Sequence, residues 1–213
     1  MSCLWWTEAA AVDVKGSVRT DETPKASSVQ AVRAPYWQEW NGFIEPKKPS
    51  VDYAREVSVV LVGPESMRDA TVVELSNGTL TPSTIVAQHG SSLRIRNQDD
   101  FTHKLYADKL EKFDAIETSP GQSRELQLLQ TGDFELGDRF APHVHGYLHV
   151  LPKVSAVANP QSDGSFVFKD VHPGSYTLKV FRGAREVSSE TLEVKDGRDI
   201  VVGPFSVDAR AKK

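Results

Sequence analysis

Cysteine is nearly missing from this chain: Cys3 stands alone among 213 residues. One thiol can close no internal disulfide and can build no thiolate metal cluster. A free surface thiol is the plain expectation, with an intermolecular disulfide or a lipidated cysteine as the sharper readings. Methionine is almost as scarce, at Met1 and Met67 only. Long hydrophobic runs are lacking, and every apolar stretch is far shorter than the roughly 20 residues that span a bilayer. No basic stretch followed by an apolar segment marks a signal peptide. An excess of basic charge is lacking too: 25 Lys and Arg face 29 Asp and Glu, a net charge of −4. With no basic patch there is no nucleic-acid footprint. Catalytic signatures are also missing, including the P-loop, G-x-G-x-x-G, H-E-x-x-H and G-x-S-x-G. Asp99 and Asp100 beside His103 are residue types that general acid–base catalysis uses. They equally suit a turn between strands, and the chain reads as a non-enzyme.

A sustained helical period is absent, and only ADKLEKF (107–113) suggests a turn or two of helix. What the sequence has instead is β signal. Residues 1–50 read as a polar N-terminal arm, partly disordered, with TDETPKASSVQ as its linker-like part. Within it, Tyr36, Trp37 and Trp40 are aromatic residues between prolines, suited to plugging a nearby core or to stacking on carbohydrate. From residue 56 come EVSVVLVG, ATVVEL, STIVAQ, SLRIRN, HKLYA, SRELQL, DFELGD and HGYLHVLP, short runs spaced by Gly, Pro, Asn or Asp. Such spacing predicts a sandwich or barrel over 51–152. LPKVSAVANPQSDG (151–164) marks a boundary, and four further runs over 165–207 predict about half of a second sandwich within 153–208.

Residues 80–103, LTPSTIVAQHGSSLRIRNQDDFTH, resemble the cupredoxin pattern through Pro82, Ile85, Ala87, Gly90, Leu93, Ile95, Asn97, Asp99 and His103. SPGQ (119–122) and DFELGD (133–138) continue the likeness, which covers about 55–152 and is nearest the plastocyanin-like, methylamine-utilisation type. DGSFVFKDVHPGSYTLKVF, with Asp163-Gly164, Phe166, Phe168, Pro173-Gly174 and Tyr176, resembles the carboxypeptidase-regulatory-like, or transthyretin-like, domain. Together they imply an all-β chain: a cupredoxin-like Greek-key sandwich followed by a small transthyretin-like β-sandwich.

The resemblance implies that His103 stands at the first copper-ligand place. It also puts Asp138 where the ligand cysteine belongs. Blue copper needs two imidazoles and a thiolate with a weak axial thioether. An oxygen donor in place of sulfur removes that chemistry, so the site reads as degenerate. His143 follows Asp138 by a spacing that some cupredoxin ligand loops use, and His145 comes next. His103, Asp138, His143 and His145 are therefore the candidate metal set, suited to Zn or non-blue Cu, with no cofactor certain. If 143–150 is extended, His143, His145, Tyr147 and His149 share one face, opposite Val144, Leu148 and Val150. At about 3.3 Å per residue, His149 is too far from His145 to share an ion with it, and is expected at the surface or facing a neighbouring strand. The function expected is a non-catalytic binding or structural protein of the bacterial envelope, periplasmic or extracellular, with a protein or envelope component as partner. Metal binding and carbohydrate binding are the alternatives.

Overall fold

The computed structural model describes residues 11–20, 51–67, 69–195 and 197–208. Among these the chain is almost wholly β. One single-turn helix, α1 (Tyr53–Glu56), is capped by the Asp52 side chain, which accepts from the Arg55 N–H at 3.3 Å. ADKLEKF forms two successive turns rather than helix, with Leu110 N–H donating to Ala107 O and Phe113 N–H to Leu110 O. Tyr36, Trp37 and Trp40 lie outside the described residues.

One sandwich is built from β3 (Thr71–Ser76), β4 (Thr79–Thr81), β5 (Thr84–Gln88), β6 (Ser92–Asn97), β7 (Leu105–Tyr106), β8 (Ser123–Gln127), β9 (Gly132–Asp138) and β10 (His145–Leu151). Its sheets run in the orders β4-β3-β6-β8 and β5-β10-β9-β7. The alternation seen in the sequence sets the core. Val73 and Leu75, Leu93 and Ile95, Phe134 and Leu136, Leu148 and Val150 point inward from four strands.

The other sandwich takes strands from three parts of the chain: β1 (Val12–Arg19), β2 (Val57–Val62), and β11 (Ala156–Ala158), β12 (Ser165–Val171), β13 (Gly174–Arg182), β14 (Arg185–Val194) and β15 (Ile200–Ser206). Its sheets are ordered β12-β1-β15 and β11-β2-β13-β14. β1 pairs antiparallel with β12 and parallel with β15. Two expectations change here. The stretch 12–19, read as polar arm, is a central strand whose Val12, Val14 and Val18 enter a core with Phe166, Phe168 and Tyr176. The run 57–62, read as the first strand of the first sandwich, hydrogen-bonds to β11 and β13 of the second. The two sandwiches are thus nested in the chain rather than consecutive.

β2 explains how they join. Val57, Val59 and Leu61 face one core, and Ser58 and Val60 face the other sandwich, so both faces are buried and the run is apolar without alternation. β5 mirrors it, sending Ile85 and Ala87 into its own core and Val86 against Val60, Val154 and Phe181. Thr84 pins the seam. Its hydroxyl donates to Glu56 O at 2.6 Å and accepts from Gly183 N–H at 2.9 Å, and its carbonyl accepts from the Ser58 hydroxyl at 2.5 Å.

Candidate functional site

Asn97 ends β6 and organises the loop that follows. Its side-chain amide donates to Phe101 O and Thr118 O, both at 2.9 Å, and its oxygen accepts from Asp99 N–H at 2.9 Å. His103 is then fixed by paired backbone bonds with Thr118. Its ring is fully buried and lies 4.4 Å, centre to centre, from that of Phe101.

Both ring nitrogens of His103 meet carboxylates: Nδ1 lies 2.7 Å from Asp138 Oδ2, and Nε2 lies 3.0 Å from Asp99 Oδ2. Asp138, at the end of β9, also accepts from Phe140 N–H at 2.7 Å, Ala141 N–H at 3.0 Å and Lys104 N–H at 3.2 Å. Asp99 accepts from the backbone N–H groups of Asn77 and Gly78, the latter at 2.9 Å. That turn has φ of 52° at Asn77 and 65° at Gly78, the left-handed region that the Asn-Gly pair tolerates.

Burial by itself would raise the pKa of each carboxyl. For Asp99 the N–H of Gly78, then His103 and the N–H of Asn77, outweigh it and hold the group below its ordinary 3.8. For Asp138 the N–H groups of Ala141 and Phe140, then His103 and the N–H of Lys104, do the same. Two ionised carboxylates accept only. The imidazole ring bridges the two, one nitrogen to each, and the arrangement is a buried carboxylate–imidazole–carboxylate row, suited to holding three chain segments together.

The expected ligand set is brought together only in part. His103 and Asp138 meet directly. His143 stands against the Asn77-Gly78 turn, where a Cβ on Gly78 would fall 2.6 Å from its Nε2. His145 is exposed, and its Nδ1 bonds His143 O at 2.9 Å. Among the described residues no three His, Cys, Asp or Glu side chains are grouped to hold an ion. The expected facing of β10 is found: Val144, Leu148 and Val150 are core residues. His149 does face a neighbouring strand, opposite Asp133, but it is buried rather than at the surface. Its Nδ1 lies 2.6 Å from Asp133 Oδ1, its Nε2 donates to Gly183 O at 2.8 Å, and its ring packs on Phe181. From the sequence Asp99 reads as a turn or acid–base carboxylate and not as a partner of the His103 ring, and Thr84 has no part. Thr84 is the fully buried hydroxyl that opens β5 ahead of Ile85, Val86 and Ala87.

A cupredoxin-like domain model matches residues 56–150. Among solved structures, a reduced amicyanin variant is 13% identical with a TM-score of 0.34, covering 43% of this chain and 99% of its own. A purple cupredoxin from Nitrosopumilus maritimus is 15% identical with a TM-score of 0.35, covering 38% of this chain and 99% of its own. A copper-containing nitrite reductase from Thermus scotoductus is 14% identical with a TM-score of 0.34, covering 38% of this chain and 22% of its own. Comparison with curated proteins finds no match. The chain therefore carries a cupredoxin-like domain within an all-β fold. The matched range opens on β2, whose backbone belongs to the other sandwich and whose side chains pack on both.

Copper, the metal this fold implies, does not fit the residues found here. Both nitrogens of His103 are taken by carboxylates, and both oxygens of Asp138 are satisfied by N–H donors. Met67, the one sulfur among the described residues, packs at the seam against the cluster of Val60, Val86, Val154 and Phe181.

Proposed function

We propose that this chain is a non-catalytic binding or structural protein of the bacterial cell envelope, periplasmic or extracellular, whose cupredoxin-like domain has lost its copper site. One observation carries the reading: the buried His103 ring lies between Asp138 at 2.7 Å and Asp99 at 3.0 Å. A carboxylate takes the place the resemblance gives to the ligand cysteine, and a proton-mediated tie replaces a metal-mediated one. A blue-copper electron carrier needs two imidazoles and a thiolate with a weak axial ligand, and this donor set supplies no sulfur. The second sandwich fits a spacer module of the carboxypeptidase-regulatory-like kind. Its strands β12 and β13 carry the DGSFVFKDVHPGSYTLKVF stretch, with Phe166, Phe168 and Tyr176 in the core. No helix among the described residues is long and apolar enough to cross a membrane.

The test is reconstitution. Purified protein incubated with Cu²⁺ and with Zn²⁺ and then desalted is expected to retain no stoichiometric metal and to show no intense visible band. Retention of one ion per chain that His103→Ala abolishes would overturn the reading. Cell fractionation is expected to place the protein in the envelope.

A further inference from the structure

We propose that the crevice between the two sandwiches is a binding site for a small molecule bearing a phosphate group. The crevice has a volume of about 580 Å³. That falls within the roughly 300–1,000 Å³ of small-molecule sites, and a domain junction is where such sites favour forming. Its lining is unlike the rest of the chain in charge. Arg55, Arg182 and Arg185 line it against a single lining carboxylate, Glu56, in a chain whose net charge is −4.

The three guanidinium groups are unequally engaged. Arg182 is tied from behind, with Asp208 at 3.5 Å and Glu56 at 4.0 Å. Arg55 is partly exposed and paired on both sides, its Nη2 with Glu56 at 3.4 Å and its Nε with Asp52 at 3.7 Å. Arg185, exposed at the start of β14, has no ion-pair or side-chain hydrogen-bond partner among the described residues. The wall opposite carries His143 and His145 from the cupredoxin-like sandwich. Guanidinium groups bind carboxylate and phosphate alike, but a dianion gains more than a monoanion from three cationic side chains lining one crevice. The volume leaves room for an organic group on the phosphate.

The test uses the full chain at pH 7 and low salt, titrated calorimetrically with inorganic phosphate and, separately, with acetate. Phosphate is expected to bind saturably and more tightly than acetate. Arg185→Gln, an exposed change that leaves the fold intact by circular dichroism, is expected to weaken phosphate about tenfold, the loss of one charge-assisted hydrogen bond. Lys169→Gln, which removes an exposed charge on β12, is expected to leave binding unchanged. Absence of saturable phosphate binding, equal binding of acetate, an unaffected Arg185→Gln, or equal weakening by Lys169→Gln would each overturn the proposal.

Discussion

Replacing His103 by alanine tests the buried row most directly. The ring touches one carboxylate at 2.7 Å and another at 3.0 Å and has no exposed surface. Its removal leaves two buried carboxylates facing a small void, each short of one hydrogen-bond partner. Breaking a buried charge pair by deleting one partner costs about 3–5 kcal/mol. The lower part of that range applies, since Asp138 keeps three backbone N–H donors and Asp99 keeps two. We therefore expect a loss of about 3 kcal/mol. Urea unfolding followed by far-ultraviolet circular dichroism reads it as a lower midpoint at an unchanged slope. The acid limb supplies a second reading. Asp99 and Asp138 have folded pKa values below the ordinary 3.8. Their contribution is therefore complete above about 3.8 and is lost as pH falls through the folded values. Without His103 both carboxyls lose a hydrogen bond that lowers them, so His103→Ala is expected to begin unfolding at a higher pH than the unaltered chain. A loss under about 1 kcal/mol, with an unmoved acid limb, would refute the claim that the row is a structural tie.

Thr84→Val keeps the shape but leaves Glu56 O and Gly183 N–H unpaired at the seam, and is expected to cost about 1–3 kcal/mol by the same urea assay. Val14→Asp places a charge in the fully buried centre of β1 and is expected to cost more than about 4 kcal/mol. Limited proteolysis would then cut β12 and β15, its two partners, ahead of the cupredoxin-like strands. Gly78→Ala meets a backbone φ of +65° and the His143 ring at 2.6 Å. It is expected to cost about 1–2 kcal/mol by thermal unfolding, mostly from the left-handed backbone.

The all-β class and most strands from 71 to 151 were legible, several because one-sided burial writes period-two alternation, as in SLRIRN and DFELGD, while the three-residue β4 was missed. β2 and β5 were legible as strands but not as seam strands. Their unalternating apolar runs signal burial on both faces, and the sequence does not say against what. β1 carried its own alternation, Val12, Val14 and Val18 against Asp13, Lys15 and Ser17, but it is short and set in polar surroundings. Its partners β12 and β15 lie far along the chain, with Val14 beside Phe168 and Ile200, beyond any local signal. At the site, residue types grouped His103 with Asp138 as metal ligands, and the structure places their side chains 2.7 Å apart. Their separation carried no information about hydrogen-bond geometry, and a carboxylate beside an imidazole reads alike as a metal ligand or an ion pair. His143 had a ligand-like spacing. The Asp138 side chain instead turns the intervening loop by accepting from Phe140 and Ala141, and His143 lands on the Asn77-Gly78 turn.

That double use of Asp138 bears on whether introducing sulfur would create a copper site. One carboxylate accepts from the His103 ring, from Lys104 N–H, and from the two N–H groups that open the loop after β9. A thiolate is a single, larger and weaker acceptor and cannot face both directions at once. Asp138→Cys would free His103 Nδ1, but it would also release the loop that carries the next histidine and leave buried N–H groups without partners. The expected outcome is a loss of at least about 3 kcal/mol in urea unfolding, with no blue absorption on adding Cu²⁺. A stable Asp138→Cys protein that turns blue would mean that the loop holds its shape without the carboxylate and that these strands can supply a copper geometry.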